Sequence, residues 1–126
     1  MIVLNQKIFF QATTNEQGRE LWMSDGTANG TVIVKDIHPG HVSSISSSKI
    51  FKANGHLFFR ANDGIHGSEL WKTDGTTLGT RLCKDIFTGK GSSDPGYCTE
   101  NNGSLYLKAW DGVHGVELWK FDFSEL

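Results

Sequence analysis

Charge of one sign, long apolar runs and cysteine are all scarce in this chain, and each scarcity excludes something. Twelve Lys and Arg are scattered among fourteen Asp and Glu, for a formal net charge of −2. That leaves no basic footprint for nucleic-acid phosphates, and nucleic acid is not an expected partner. No apolar run approaches the ~20 residues of a membrane-spanning helix, so no membrane insertion is expected. The amino end, Met1 to Lys7, lacks a basic start, an apolar run and a small-residue cleavage site, and does not read as a signal peptide. GxSxG, GxxxxGK[ST], HExxH and CxxC are all missing, so no nucleophilic or metalloprotease machinery is expected and the chain is read as no enzyme.

What is present is glycine and repetition. Fifteen glycines against two prolines, set among β-branched and aromatic residues, suit many short strands joined by tight turns. The pattern ELWxxDGT stands at Glu20 to Thr27 and again at Glu69 to Thr76, with a truncated copy from Glu117 to Asp122. Trp22, Trp71 and Trp119 are 49 and 48 residues apart, and a period of about 20–50 residues marks stacked or ring-shaped repeats. Phe9-Phe10 falls on Phe58-Phe59, Lys35-Asp36-Ile37 on Lys84-Asp85-Ile86, and Ser43-Ser44 on Ser92-Ser93 without a gap. A one-residue deletion then falls between Ser93 and Cys98. The chain is one repeat domain, 1–126, with units of about 1–49, 50–97 and a truncated 98–126.

Each unit reads as four short strands; in the middle copy these are Lys49 to Ala53, His56 to Ala61, Ser68 to Thr73 and Thr80 to Ile86. Asn54-Gly55 between apolar runs is a strong hairpin signal, because both residues tolerate positive φ. The expected fold is all-β: four-stranded antiparallel meanders of the kind that form β-propeller blades, about two and three-quarter per chain. Apolar residues on both faces of Ser68 to Thr73 and in Leu57-Phe58-Phe59 point to sheets covered on both sides. The serine-rich stretch Ser43 to Ser48 reads as a polar connection.

These residues resemble the ELWxxDGT repeat family. Its longer pattern stands here as Asp63-Gly64-Ile65-His66-Gly67-Ser68-Glu69-Leu70-Trp71, Asp74-Gly75-Thr76, Gly79-Thr80 and Lys84-Asp85-Ile86. The likeness covers essentially the whole chain, and it implies a propeller-type array of secreted or cell-surface setting with no established chemistry. The first copy departs from it, with Thr14-Asn15-Glu16-Gln17 where the others have Asp-Gly-x-His.

Three constellations are candidates for function. Asp63 with His66, and Asp111 with His114, each followed by a glutamate, have the groups for metal ligation or acid–base work; alternatively Asp caps a turn, His bonds a neighbouring loop and Glu ties the hairpin together. The Asp25-Gly26 and Asp74-Gly75 turns, with Asp36 and Asp85 near in sequence, offer carboxylates to Ca²⁺, although one per turn is few for a cation that takes six to eight oxygens. Otherwise no cofactor is expected. Trp110 occupies the place of Asn62 and Thr13, outside the repeat, and either stacks on a ligand such as a glycan, anchors a contact, or packs locally. The periodic tryptophans are expected in the core. Cys83 and Cys98 stand where the repeat otherwise has Val34 and Ile50, which favours buried free thiols; a disulfide stays open should their strands form a hairpin.

Two and three-quarter units close no ring. The expected partner is therefore a second copy of the chain, with two copies sharing about six blades and a trimer as the next arrangement. A binding and assembly module, with a purely structural self-assembling fragment as the alternative, is the expected function.

Overall fold

The computed structural model describes residues 1–46 and 49–126. Ser47 and Ser48, the end of the polar connection, lie outside the described residues. Three antiparallel sheets follow one another along the chain. The first holds β1 (Ile2–Leu4), β2 (Lys7–Thr14), β3 (Gly18–Ser24) and β4 (Val32–Ile33); the second holds β5 (Phe51–Ala53), β6 (His56–Asn62), β7 (Ser68–Thr73) and β8 (Arg81–Lys84). The third holds β9 (Gly96–Asn101), β10 (Ser104–Trp110) and β11 (Val116–Asp122), and a 3-10 turn at Phe123–Glu125 follows. Each sheet is ordered as its strands run in sequence, so every sheet is a simple meander.

Local chemistry sets the turns. Asn54 and Gly55 both take positive φ, +48° and +72°, and the hairpin they close pairs Ala53 with His56 and Phe51 with Phe58. Asn102-Gly103 repeats this in the third sheet, with φ of +48° and +75°. The fourth strands are shorter than expected: β8 covers Arg81–Lys84 rather than Thr80 to Ile86, and β4 is two residues long. Thr80 spends its hydroxyl on Thr76 and Thr73, and the amide of Ile86 goes to the Glu69 carboxylate, so both ends leave the ladder. The first strand of the middle unit likewise begins at Phe51 and not at Lys49.

The core forms two layers. Phe9, Leu21 and Val34 of the first unit pack against Leu57, Phe59, Ala61 and Trp71 of the second. Phe58 and Leu70, on the opposite face of the second sheet, pack against Leu105, Leu107, Ala109 and Phe121 of the third. The second sheet is thus covered on both sides, and all five residues from Glu69 to Thr73 are buried. Alternation along a strand makes this explicit, since Phe58 and Phe59 must point to opposite faces. Trp71 is a core residue, as its periodicity suggests, but Trp22 and Trp119 are only half-buried. Trp22 faces the side of the first sheet that no other sheet covers, and Trp119 sits at the margin of the second layer.

Candidate functional site

The loops between the second and third strands hold the Asp and His candidates. In the β6–β7 loop, Asp63 Oδ1 accepts the amides of Ile65 and His66 at 2.9 Å, while Oδ2 meets His66 Nδ1 at 2.7 Å. The β10–β11 loop repeats the geometry: Asp111 Oδ1 accepts from Val113 and His114 at 2.8 Å, and Oδ2 lies 2.6 Å from His114 Nδ1. Burial on its own would raise the Asp63 carboxyl, but bonds from the His66 amide, the His66 ring and the Ile65 amide outweigh it and hold it below 3.8. Asp111, led by the His114 amide, is likewise held below the usual carboxylate range. Both histidines are pushed above 6.5, first by the hydrogen bond to their aspartate.

Each Asp therefore caps its turn as expected, but each His bonds its own aspartate rather than a neighbouring loop. The glutamate of each constellation goes elsewhere. Glu69 is fully buried and accepts the amides of Ile86, Phe87 and Ser93 together with the Ser93 hydroxyl. It ties β7 to the connector that leaves β8 for the next sheet, not one strand of its hairpin to the other. Glu20 does the same with Ile37 and Ser44, and burial pushes both carboxyls up against the pull of their serine bonds. Glu117 on β11 is exposed.

The connectors also explain the Asp-Gly turns. A Cβ on Gly64 would stand 2.7 Å from the His38 ring, and one on Gly112 would stand 2.7 Å from Phe87. His38 and Phe87 are the same repeat position, so each connector rests a ring on the glycine of the following unit's loop. In the first unit Thr14-Asn15-Glu16-Gln17 stands where the later loops have this pattern. Trp110 packs edge-on against Phe87, with ring centroids 5.1 Å apart, and is 41% exposed. Local packing accounts for one side of it.

One oxygen of each DGT carboxylate is taken by its own turn. Asp74 Oδ1 accepts the Thr76 amide at 2.8 Å and hydroxyl at 2.7 Å, and the Thr76 hydroxyl accepts from the Gly79 amide at 2.9 Å. Asp25, Thr27 and Gly30 repeat these bonds. Among the described residues, no group of three or more His, Cys, Asp or Glu that could hold a metal ion comes together. Cys83 on β8 and Cys98 on β9 belong to different sheets, are half-buried at the margin of the second core layer and form no disulfide. Burial pushes their thiols up to about 12 and about 11, so neither is a reactive thiolate.

One concave site escaped the sequence reading. A cleft of about 670 Å³ opens where β5 and β6 face the start of β9, and Lys49, Arg60, Tyr97 and Lys108 stand at it with Asp94. Its signal in the sequence was the deletion between Ser93 and Cys98, which breaks the repeat where the cleft wall forms. No protein-family model, curated protein or solved structure matches the chain.

Proposed function

We propose that this chain is a non-catalytic assembly module of propeller type, resembling the ELWxxDGT repeats, in which each sheet is a blade and further copies of the chain complete the array. The observation that carries this reading is a difference in burial at equivalent positions. Leu21 and Leu70 are 0% and 1% exposed beneath the next sheet, whereas Leu118, their counterpart on β11, is 75% exposed. Val116 beside it is 67% exposed. At the other end, Ile8 is 41% exposed and Phe10 half-buried, while their counterparts Leu57 and Phe59 are buried. The bare face of the third sheet thus carries the positions that, within the chain, pack against the face left bare on the first.

Stacking the third sheet of one copy on the first sheet of another repeats a packing the chain already makes twice. Such a contact is heterologous, so it closes a ring at a suitable rotation or continues as a stack. Two copies in a ring of about six blades is the preferred arrangement. Burying a leucine such as Leu118 contributes about 1.5–3 kcal/mol.

Light scattering on purified protein tests this. The native chain is expected to elute as a dimer or trimer, and Leu118→Asp and Phe10→Asp each as a monomer. Mixed, the two variants have one intact pair of faces between them and form a one-to-one complex. A folded native monomer at high concentration sinks the proposal.

A further inference from the structure

We infer that the cleft between the second and third sheets binds a small ring-shaped ligand bearing a carboxylate, of the size of an acidic monosaccharide. Its volume, about 670 Å³, falls within the range of small-molecule sites, roughly 300–1,000 Å³. Its floor is apolar, with Phe58 and Leu70 beneath. Its charge is not that of the protein. Lys49, Arg60 and Lys108 line it against the single carboxylate of Asp94, in a chain whose formal net charge is −2. The neighbouring cleft, about 480 Å³, holds one charged side chain, Lys49, and has Gln11 at the repeat position of Arg60.

The wall of the cleft is where the molecule departs from its own repeat. Tyr106 pairs with Thr99 and Lys108 with Gly96, so Tyr97 and Cys98 together oppose Leu107 and the ladder is bulged. Bulges re-aim side chains and collect beside functional sites. Tyr97 and Asp94 both take positive φ, +54° and +46°, a region that side-chain-bearing residues seldom occupy and that clusters at functional sites. The outcome is an 83% exposed tyrosine ring beside the cleft, with Lys108 Nζ 4.4 Å from its centre. Lys108 reaches the cleft across Gly96, its Cε 3.7 Å from where a Cβ would stand.

Arg60 has donors to spare. Its Nη1 lies at a long 3.4 Å from Asp94 and its Nη2 at 3.0 Å from Ser46, which leaves N–H groups on both terminal nitrogens for a ligand, while its Nε is buried. A ligand carboxylate offers a guanidinium two parallel bonds, better geometry than the present contact to Asp94. Lys108 adds a second cation, and the face of Tyr97 not occupied by Lys108 supplies a surface for a sugar ring. All of these groups belong to one chain, but Lys108 pairs with Leu118 and stands on the face proposed for assembly. The titrations therefore use the Phe10→Asp background, which leaves that face intact and uncovered.

Calorimetric titration with D-glucuronate, D-glucose and acetate separates the contributions. Glucuronate is expected to bind, acetate at least tenfold more weakly, and glucose not at all at the same concentration. Lys108→Met, at an exposed position, and Arg60→Gln should each weaken glucuronate at least tenfold, while the circular dichroism spectrum of Lys108→Met stays native. Tyr97→Ala should lower glucuronate affinity and leave acetate unchanged. Failure of glucuronate to bind, equal binding of glucose, or full affinity in folded Lys108→Met overturns the carboxylate site; acetate as tight as glucuronate overturns the assignment of a ring to Tyr97.

Discussion

At the scale of single residues, the Asp–His pairs carry the clearest electrostatic consequence. The Asp63 carboxyl is lowered below 3.8 and the His66 ring raised above 6.5. A lowered acid contributes stability above its unfolded value and loses it as pH falls through the folded one; a raised base contributes below its unfolded value and loses it as pH rises through the folded one. The pair therefore contributes fully between 3.8 and 6.5 and fades on either side. Urea unfolding of the native chain and His66→Gln across pH checks this: the stability difference should be greatest in that window and shrink above the raised histidine value. A difference that grows on the alkaline side would contradict the pairing. Because the His66 side chain is 34% exposed, the effect is small and screened by salt.

At the scale of elements, the connector is the structural unit that the strand pattern hides. It leaves the fourth strand early, gives its amides to the glutamate of the third strand, and rests a ring on the glycine of the following loop. Its backbone also passes so close to Gly67 that an added Cβ would stand 1.9 Å from the Gly91 carbonyl oxygen, whereas at Gly115 nothing among the described residues lies within 4 Å. The same contrast governs the glutamates. Glu69→Ala strands three amides and a hydroxyl from their acceptor and should cost about 3 kcal/mol, since an unsatisfied buried partner costs about 1–3 kcal/mol. Glu117→Ala removes an exposed side chain and should change stability by less than about 0.5 kcal/mol. Chemical denaturation of the two variants decides the matter; equal losses would mean that the connector does not hold Glu69 as described.

At the scale of the whole molecule, the two outer sheets each have one covered and one bare face, and the proposed assembly covers both. Anything that binds the folded chain alone stabilises it by mass action. The melting temperature of the native chain should therefore rise with protein concentration, and that of Leu118→Asp should not. A concentration-independent native melting point would separate folding from assembly and count against the ring.

Repetition in the sequence was enough to determine the meanders and their tight turns, because each rests on contacts a few residues apart: Asn54-Gly55 closes a hairpin, and Asp74, Thr76 and Gly79 close a turn whatever surrounds them. The two-sided burial of Glu69 to Thr73 was legible for the same reason, as apolar residues on alternate sides of one strand. What depends on how the sheets meet was not legible. Only tertiary structure decided that Glu69 grips a connector 17 to 24 residues away, that Phe87 sits over Gly112, that Trp22 faces outward, and that Cys83 and Cys98 lie on different sheets. The cleft is the extreme case: Arg60 and Asp94 are 34 residues apart, and only the packing of two sheets around a bulge turns a missing residue into a cationic cavity. Local hydrogen-bonding chemistry is written in adjacent letters, whereas the field and shape of a site come from groups that the folded chain alone makes neighbours.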